Sequence, residues 1–207
     1  AQIEDFQKKL WLKKKFVVET NWCITLDKID ESFYPEIAAN DAQRQEWIEL
    51  YAIDKIAGNL MEIGYSNPLT VDFLKQNKNL VLDTKHFTAE FKERLIASID
   101  NLDEETNGLL IHSENFQALN LLQERYREKV KCVYIDPPYN TGNDGFAYKD
   151  SYQHSSWLTM MAERILRASC LINNSSPYFI SIDENEVDRL NVLGRQIFGS
   201  QPIGTFI

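Results

Sequence analysis

The stretch that most constrains this chain is the β-branched run Val130-Lys131-Cys132-Val133-Tyr134-Ile135, which closes on Asp136-Pro137-Pro138-Tyr139. The run reads as a buried parallel strand, because both faces carry apolar or aromatic residues. Two successive prolines have fixed φ and no N–H, so the strand stops there in a stiff turn. A turn-rich stretch, Asn140-Thr141-Gly142-Asn143-Asp144-Gly145, follows. Upstream, Leu109–His112 reads as a strand and Asn115–Arg127 as a helix. Two strands joined by a helix of that length predict a parallel βαβ unit. Downstream, apolar residues at 157, 158, 161, 165, 168 and 172 mark one face of a helix. Pro177–Asp183 reads as a third strand. Asp183 and Glu186 are spaced like a capping box for a helix through Val187, Leu190, Leu193 and Ile197. The expected fold class is α/β, an incomplete Rossmann-like parallel sheet.

Residues 1–100 form a separate, mainly helical region, and the acidic stretch Asn101 to Gly108 is the natural boundary with 101–207. A helix over Ile3–Val18 is expected to lead into an extended Phe16–Ile24 segment. Asn40 or Asp41 would cap a helix reaching about Ala57, through Trp47, Ile48, Tyr51 and Ile53. Asn67-Pro68 marks a turn, with a short helix over Val71–Gln76. Leu80–Asp83 reads as extended, with a helix from Thr88 to about Ile99. Trp11, Trp22 and Trp47 read as core. No repeat or catalytic constellation falls here, so packing, dimer contacts or partner docking is its expected task.

In open α/β sheets, ligands bind just past the carboxyl ends of strands. At that place Asp136 offers a carboxylate, Pro137 a rigid carbonyl and Tyr139 an aromatic ring. Together with Pro138 they make a grip for an exocyclic amino group on a planar base. Such a nitrogen is a poor nucleophile because its lone pair is delocalised into the ring. One acceptor on each N–H, Asp136 and the Pro137 carbonyl, favours a pyramidal nitrogen that can attack a methyl sulfonium. The carboxylate stabilises the positive charge that grows on nitrogen as the methyl arrives. Stacking on Tyr139 contributes roughly 1–3 kcal/mol, and the base must leave its duplex stack to reach the site. The pattern needs no metal. Asp-Pro-Pro-Tyr as a plain strand-ending turn is the bland alternative. Asn140, Phe146 and Tyr148 would shape the base pocket. His154 reads as a loop or cap residue, and Asp183 as either a pocket residue or a cap.

The run Cys132 to Gly142, C-V-Y-I-D-P-P-Y-N-T-G, resembles the β-group of DNA amino-methyltransferases, and most of all the modification subunit of type III restriction–modification systems. The resemblance extends over Leu109–Leu119, Phe146–Asp150, Trp157–Met161 and Phe179–Glu186, about half the chain. It implies transfer of a methyl group from S-adenosylmethionine to adenine N6 of double-stranded DNA. It further implies a restriction subunit with helicase and nuclease activity as partner, and a homodimer is compatible with it. Cytosine N4 is the close alternative, since the same acceptor pair suits both amino groups. A non-catalytic docking module is the alternative from another class. Many relatives carry Gly-Asp after the first strand, with the acid near the cofactor's adenosine. Here Ser113-Glu114-Asn115 stands in that place. The resemblance therefore implies cofactor binding by these residues and Asp136, while Ser113 or Asn115 would equally serve as a helix cap. The glycine-rich F-x-G-x-G loop of such enzymes is missing, Phe198-Gly199-Ser200-Gln201-Pro202 being the nearest approach. The expectation is a fragment, with the cofactor's glycine loop and most DNA-reading elements beyond Ile207.

Composition sets the outer limits. The 207 residues, 43% of them hydrophobic, suffice for one large or two small domains. No apolar run approaches 18 residues, which argues against a membrane span. Cys23, Cys132 and Cys170 are odd in number and widely spaced, and read as buried free thiols in a reducing cytoplasm. The net charge of −9 runs against phosphate binding, which depends on Lys and Arg. Lys13-Lys14-Lys15 is the one strong basic cluster, and it reads as a solvated helix face.

Overall fold

The computed structural model describes residues 17–59, 62–142 and 153–199. Most of the expected helix over Ile3–Val18, with Trp11 and Lys13–Lys15, lies outside the described residues. So do Phe146, Tyr148, Lys149, Asp150 and the chain from Ser200 onward.

The chain divides into two compact units, Ala1–Leu109 and Leu110–Ile207. In the first, strand β1 (Cys23–Thr25) is followed by helices α1 (Tyr34–Ala38), α2 (Asp41–Tyr51) and α3 (Val71–Gln76). Strand β2 (Val81–Asp83) and helices α4 (Ala89–Ala97) and α5 (Leu102–Glu105) complete it. β1 and β2 pair antiparallel, Ile24 opposite Leu82. The helix starts follow local side-chain chemistry. Asn40 accepts the Gln43 N–H, Thr70 that of Phe73 and Thr88 that of Phe91, each satisfying a donor that the first helical turn leaves open. α2 ends six residues before the expected Ala57, where Ala52 turns left-handed at φ 51°. The core gathers Leu26, Tyr34, Ile37, Trp47, Phe73, Leu74, Leu82, Phe91 and Leu95, all fully buried. Its polar groups are paired as burial demands. The Tyr34 hydroxyl donates to the Leu26 carbonyl, the Trp47 indole to the Val81 carbonyl, and buried Gln43 accepts from the Asp83 N–H.

The second unit is α/β. Helix α6 (Asn115–Tyr126) precedes strand β3 (Val133–Ile135), helix α7 (His154–Ser169), strand β4 (Tyr178–Ile180) and helix α8 (Val187–Phe198). β3 and β4 are parallel, Val133 opposite Tyr178 and Ile135 opposite Ile180, and a bridge from Val130 to Ile172 extends the pairing. Trp157, Met161 and Ile165 of α7 and Leu190 of α8 are buried against Ile135, Tyr178 and Ile180. Burial pushes the Tyr178 phenol up to about 12.

Three expectations need correction here. Leu109–His112 forms no strand, and Leu110 is 96% exposed. A strand exists only through a ladder partner, and none of the described residues pairs with this segment. β3 is not buried on both faces. Tyr134 is 65% exposed and Phe179 47%, so only the alternate residues of each strand meet α7 and α8. The thiols are not buried either: Cys23 and Cys132 are exposed and Cys170 is half-buried. Among the described residues, no helix is long and apolar enough to cross a membrane.

Candidate functional site

The tetrapeptide begins one residue past the carboxyl end of β3, as its proline pair requires. Asp136 is exposed, while Pro137, Pro138, Tyr139 and Asn140 are half-buried. The Tyr139 hydroxyl donates to Asp136 Oδ1 at 2.9 Å. That carboxylate, with a smaller effect of desolvation, holds the phenol above its ordinary 10.0, and Ser181 works the other way. Ser181 stands one residue past β4, and its hydroxyl lies 2.6 Å from that of Tyr134. An acid, two phenols and a hydroxyl thus gather where the two parallel strands end.

The turn is held from beneath. Fully buried Trp157, in the first turn of α7, donates its indole N–H to the Pro138 carbonyl at 2.8 Å. Of the two proline carbonyls, the fold therefore commits that of Pro138. Asn140 follows with φ 63°, a left-handed conformation that Asn tolerates better than most residues. Its side-chain amide donates to Glu186 Oε1 at 2.6 Å.

Glu186 is the residue that sequence reasoning placed wrongly. The capping box is not formed: Glu186 occupies the cap position of α8 but makes no capping bond with its side chain. It is instead 0% exposed, and the same Oε1 that meets Asn140 lies 2.6 Å from His154 Nδ1. Arg189 reaches the other oxygen at 3.5 Å. Asp183, the other half of the expected box, accepts the Asn185 N–H in a local turn. The signal available in the sequence was the spacing of Glu186 three residues before Arg189.

Ser113, Glu114 and Asn115 lie exposed at the head of α6. The cap is Glu114, not Ser113 or Asn115, and it accepts the Gln117 N–H. Its other oxygen pairs with Arg164 of α7 at 2.6 Å. Burial alone works to raise the Glu114 carboxyl, but the Phe116 and Gln117 amides and Arg164 bring it below its ordinary 4.5. Phe146 and Tyr148 lie outside the described residues. A groove of about 330 Å³ runs between α7 and α8, lined by Leu158, Thr159, Ala162, Arg189, Val192 and Leu193 among others. It shares no residue with the tetrapeptide.

Residues 130–207 match the family model of N6/N4 enzymes described as DNA methylase. Among curated relatives, the probable type III restriction-modification enzyme HindVI Mod subunit of Haemophilus influenzae is 44% identical over 91 residues, which cover 44% of this chain and 12% of that protein. The EcoP15I Mod subunit of Escherichia coli is 37% identical over 123 residues, covering 45% of this chain and 19% of the relative. A type II methyltransferase of Klebsiella pneumoniae, M.KpnI, is 29% identical over 119 residues, covering 53% and 28%. The matches thus span about a fifth or less of the length of the Mod subunits. Over these residues the chain is similar to part of a type III modification subunit.

Proposed function

We propose that this chain is part of a site-specific DNA methyltransferase of the type III modification kind, transferring a methyl group to adenine N6. The carrying observation is the division of labour at the end of β3. The Trp157 indole engages the Pro138 carbonyl and Asp136 is exposed, which supports taking the Pro137 carbonyl and the Asp136 carboxylate as the acceptor pair for an amino group. In this reading Asp136 accepts one N–H of the extruded base and Pro137 the other. Tyr139 stacks on the ring, and Asn140 borders the pocket. As nitrogen attacks, positive charge develops beside Asp136, which stabilises the transition state more than the ground state.

S-adenosylmethionine, when bound, supplies the electrophilic methyl group. The exposed donor set at the head of α6 suits the hydroxyls of an adenosine. Each Glu114 oxygen keeps acceptor capacity beyond its bonds to Gln117 and Arg164, and Ser113 and Asn115 offer a hydroxyl and an amide. Asp136 would complete the cofactor side. The Rossmann-like completion of the sheet, duplex DNA and a restriction subunit as partners, and action in the cytoplasm belong to the same reading.

The test is incorporation of labelled methyl into duplex DNA by the full-length protein, followed by separation of the methylated nucleosides. Label in N6-methyladenine is expected, and Asp136→Ala is expected to abolish it while the fold survives. Label in N4-methylcytosine would reassign the base. Full activity in Asp136→Ala would remove the acid from the mechanism.

A further inference from the structure

Among the described residues, one fully buried carboxylate stands next to the tetrapeptide and is not used by the proposed chemistry. Glu186 sits at the head of α8, and a single oxygen takes hydrogen bonds from two distant segments. These are the Asn140 amide, one residue past Tyr139, and His154 Nδ1 at the first residue of α7. Both distances are 2.6 Å. The two segments are the points where the chain leaves the tetrapeptide and where it enters α7. Asn140 is also the residue whose backbone is left-handed, a conformation that persists where surrounding contacts enforce it. A carboxylate buried this completely is costly unless paired, and its partners here are Asn140, His154 and Arg189.

We propose that Glu186 is a positioning residue for the base pocket. By fixing Asn140 and His154 together it sets the direction in which the chain leaves Tyr139, and so the pose of Tyr139 over the base held by Asp136. Trp157 anchors the same turn from the Pro138 carbonyl, so the turn is held on both sides of Tyr139. Glu186 touches neither base nor methyl in this scheme. It acts through Asn140. The inference rests on the proposed methyl transfer for its kinetic consequences, but the tethering itself has a readout independent of activity.

The experiment compares wild type, Glu186→Ala, Asn140→Ala, the double variant and Glu186→Gln in the full-length protein. In Glu186→Ala, kcat for methyl transfer is expected to fall at least about tenfold, with KM for S-adenosylmethionine changed by less than about twofold. The double variant should be no slower than Glu186→Ala, because residues acting as one unit are non-additive. Glu186→Gln keeps an acceptor oxygen for Asn140 and should recover most of the lost kcat. Amide exchange at Tyr139–Gly142 should quicken in Glu186→Ala and remain near wild type in Glu186→Gln. Additive losses, wild-type kcat in Glu186→Ala, or unaltered exchange at Tyr139–Gly142 would each overturn the assignment. If Glu186→Ala does not fold, Asn140→Ala must carry the kcat loss alone, and wild-type kcat there overturns it. If wild type methylates neither base, the functional reading fails, and the exchange comparison still decides whether Glu186 holds the turn.

Discussion

Tyr139 has two parts to play in the proposed mechanism. Its hydroxyl donates to Asp136, and the proposal assigns its ring to stack on the base. The hydrogen bond occupies only one of the carboxylate's acceptor sites, so removing it should matter less than removing the ring. Tyr139→Phe is expected to keep methyl transfer within a few-fold of wild type. Tyr139→Ala loses stacking worth roughly 1–3 kcal/mol, about 5- to 150-fold in kcat/KM. Steady-state kinetics on a short duplex checks both, and equal losses in the two variants would mean that the hydroxyl, not the ring, is the working group. At this scale the sequence displayed the acid, the prolines and the ring plainly, because their adjacency is itself the signal. It did not display the bonds of Glu186 to Asn140 and His154, because partners 46 and 32 positions away leave no mark in local spacing.

Among the elements, α2, α3 and α4 of the first unit were legible in the sequence, α2 by its cap at Asn40; the caps at Thr70 and Thr88 emerge from the structure. The strands were legible as apolar runs but not in their lengths. β3 and β4 keep only three residues each because pairing, not propensity, sets a strand's ends. Leu109–His112 has the composition of a strand and, among the described residues, lacks a partner, which composition cannot reveal. The link from α6 to α7 was equally hidden, since Glu114 and Arg164 stand 50 residues apart. That pair makes a pH prediction. The Glu114 carboxyl is lower in the folded state than its ordinary 4.5, so its stabilising contribution is present above 4.5 and is lost as the pH falls through the folded value. Glu114→Gln should therefore melt lower than wild type at neutral pH, and the gap should close as the pH drops below 4.5. Thermal melts across that range check it. A gap that stays constant would mean that the charge contributes nothing and that only the capping geometry counts.

For the whole molecule, the two units differ in how completely they close. Among the described residues, the first has fourteen buried apolar side chains in one cluster. The corresponding cluster of the second has four, and its sheet leaves Tyr134 and Phe179 open on the outer face. Parallel sheets ordinarily carry cover on both faces, and among the described residues the second unit shows it on one. Stability is distributed accordingly, since segments with few buried apolar contacts open at lower free energy. In rising urea, amide exchange followed by mass spectrometry should show Trp157–Ile165 of α7 losing protection before Tyr34–Trp47 of α1 and α2. The two sets should lose it in separate transitions. A single shared transition would mean that the units unfold as one cooperative body. The reverse order would mean that the Trp157 cluster is stronger than its burial implies. Tyr134→Ser, placed on the open face, should leave the urea midpoint of the second unit within about 0.5 kcal/mol of wild type, because a side chain 65% exposed has little burial to lose.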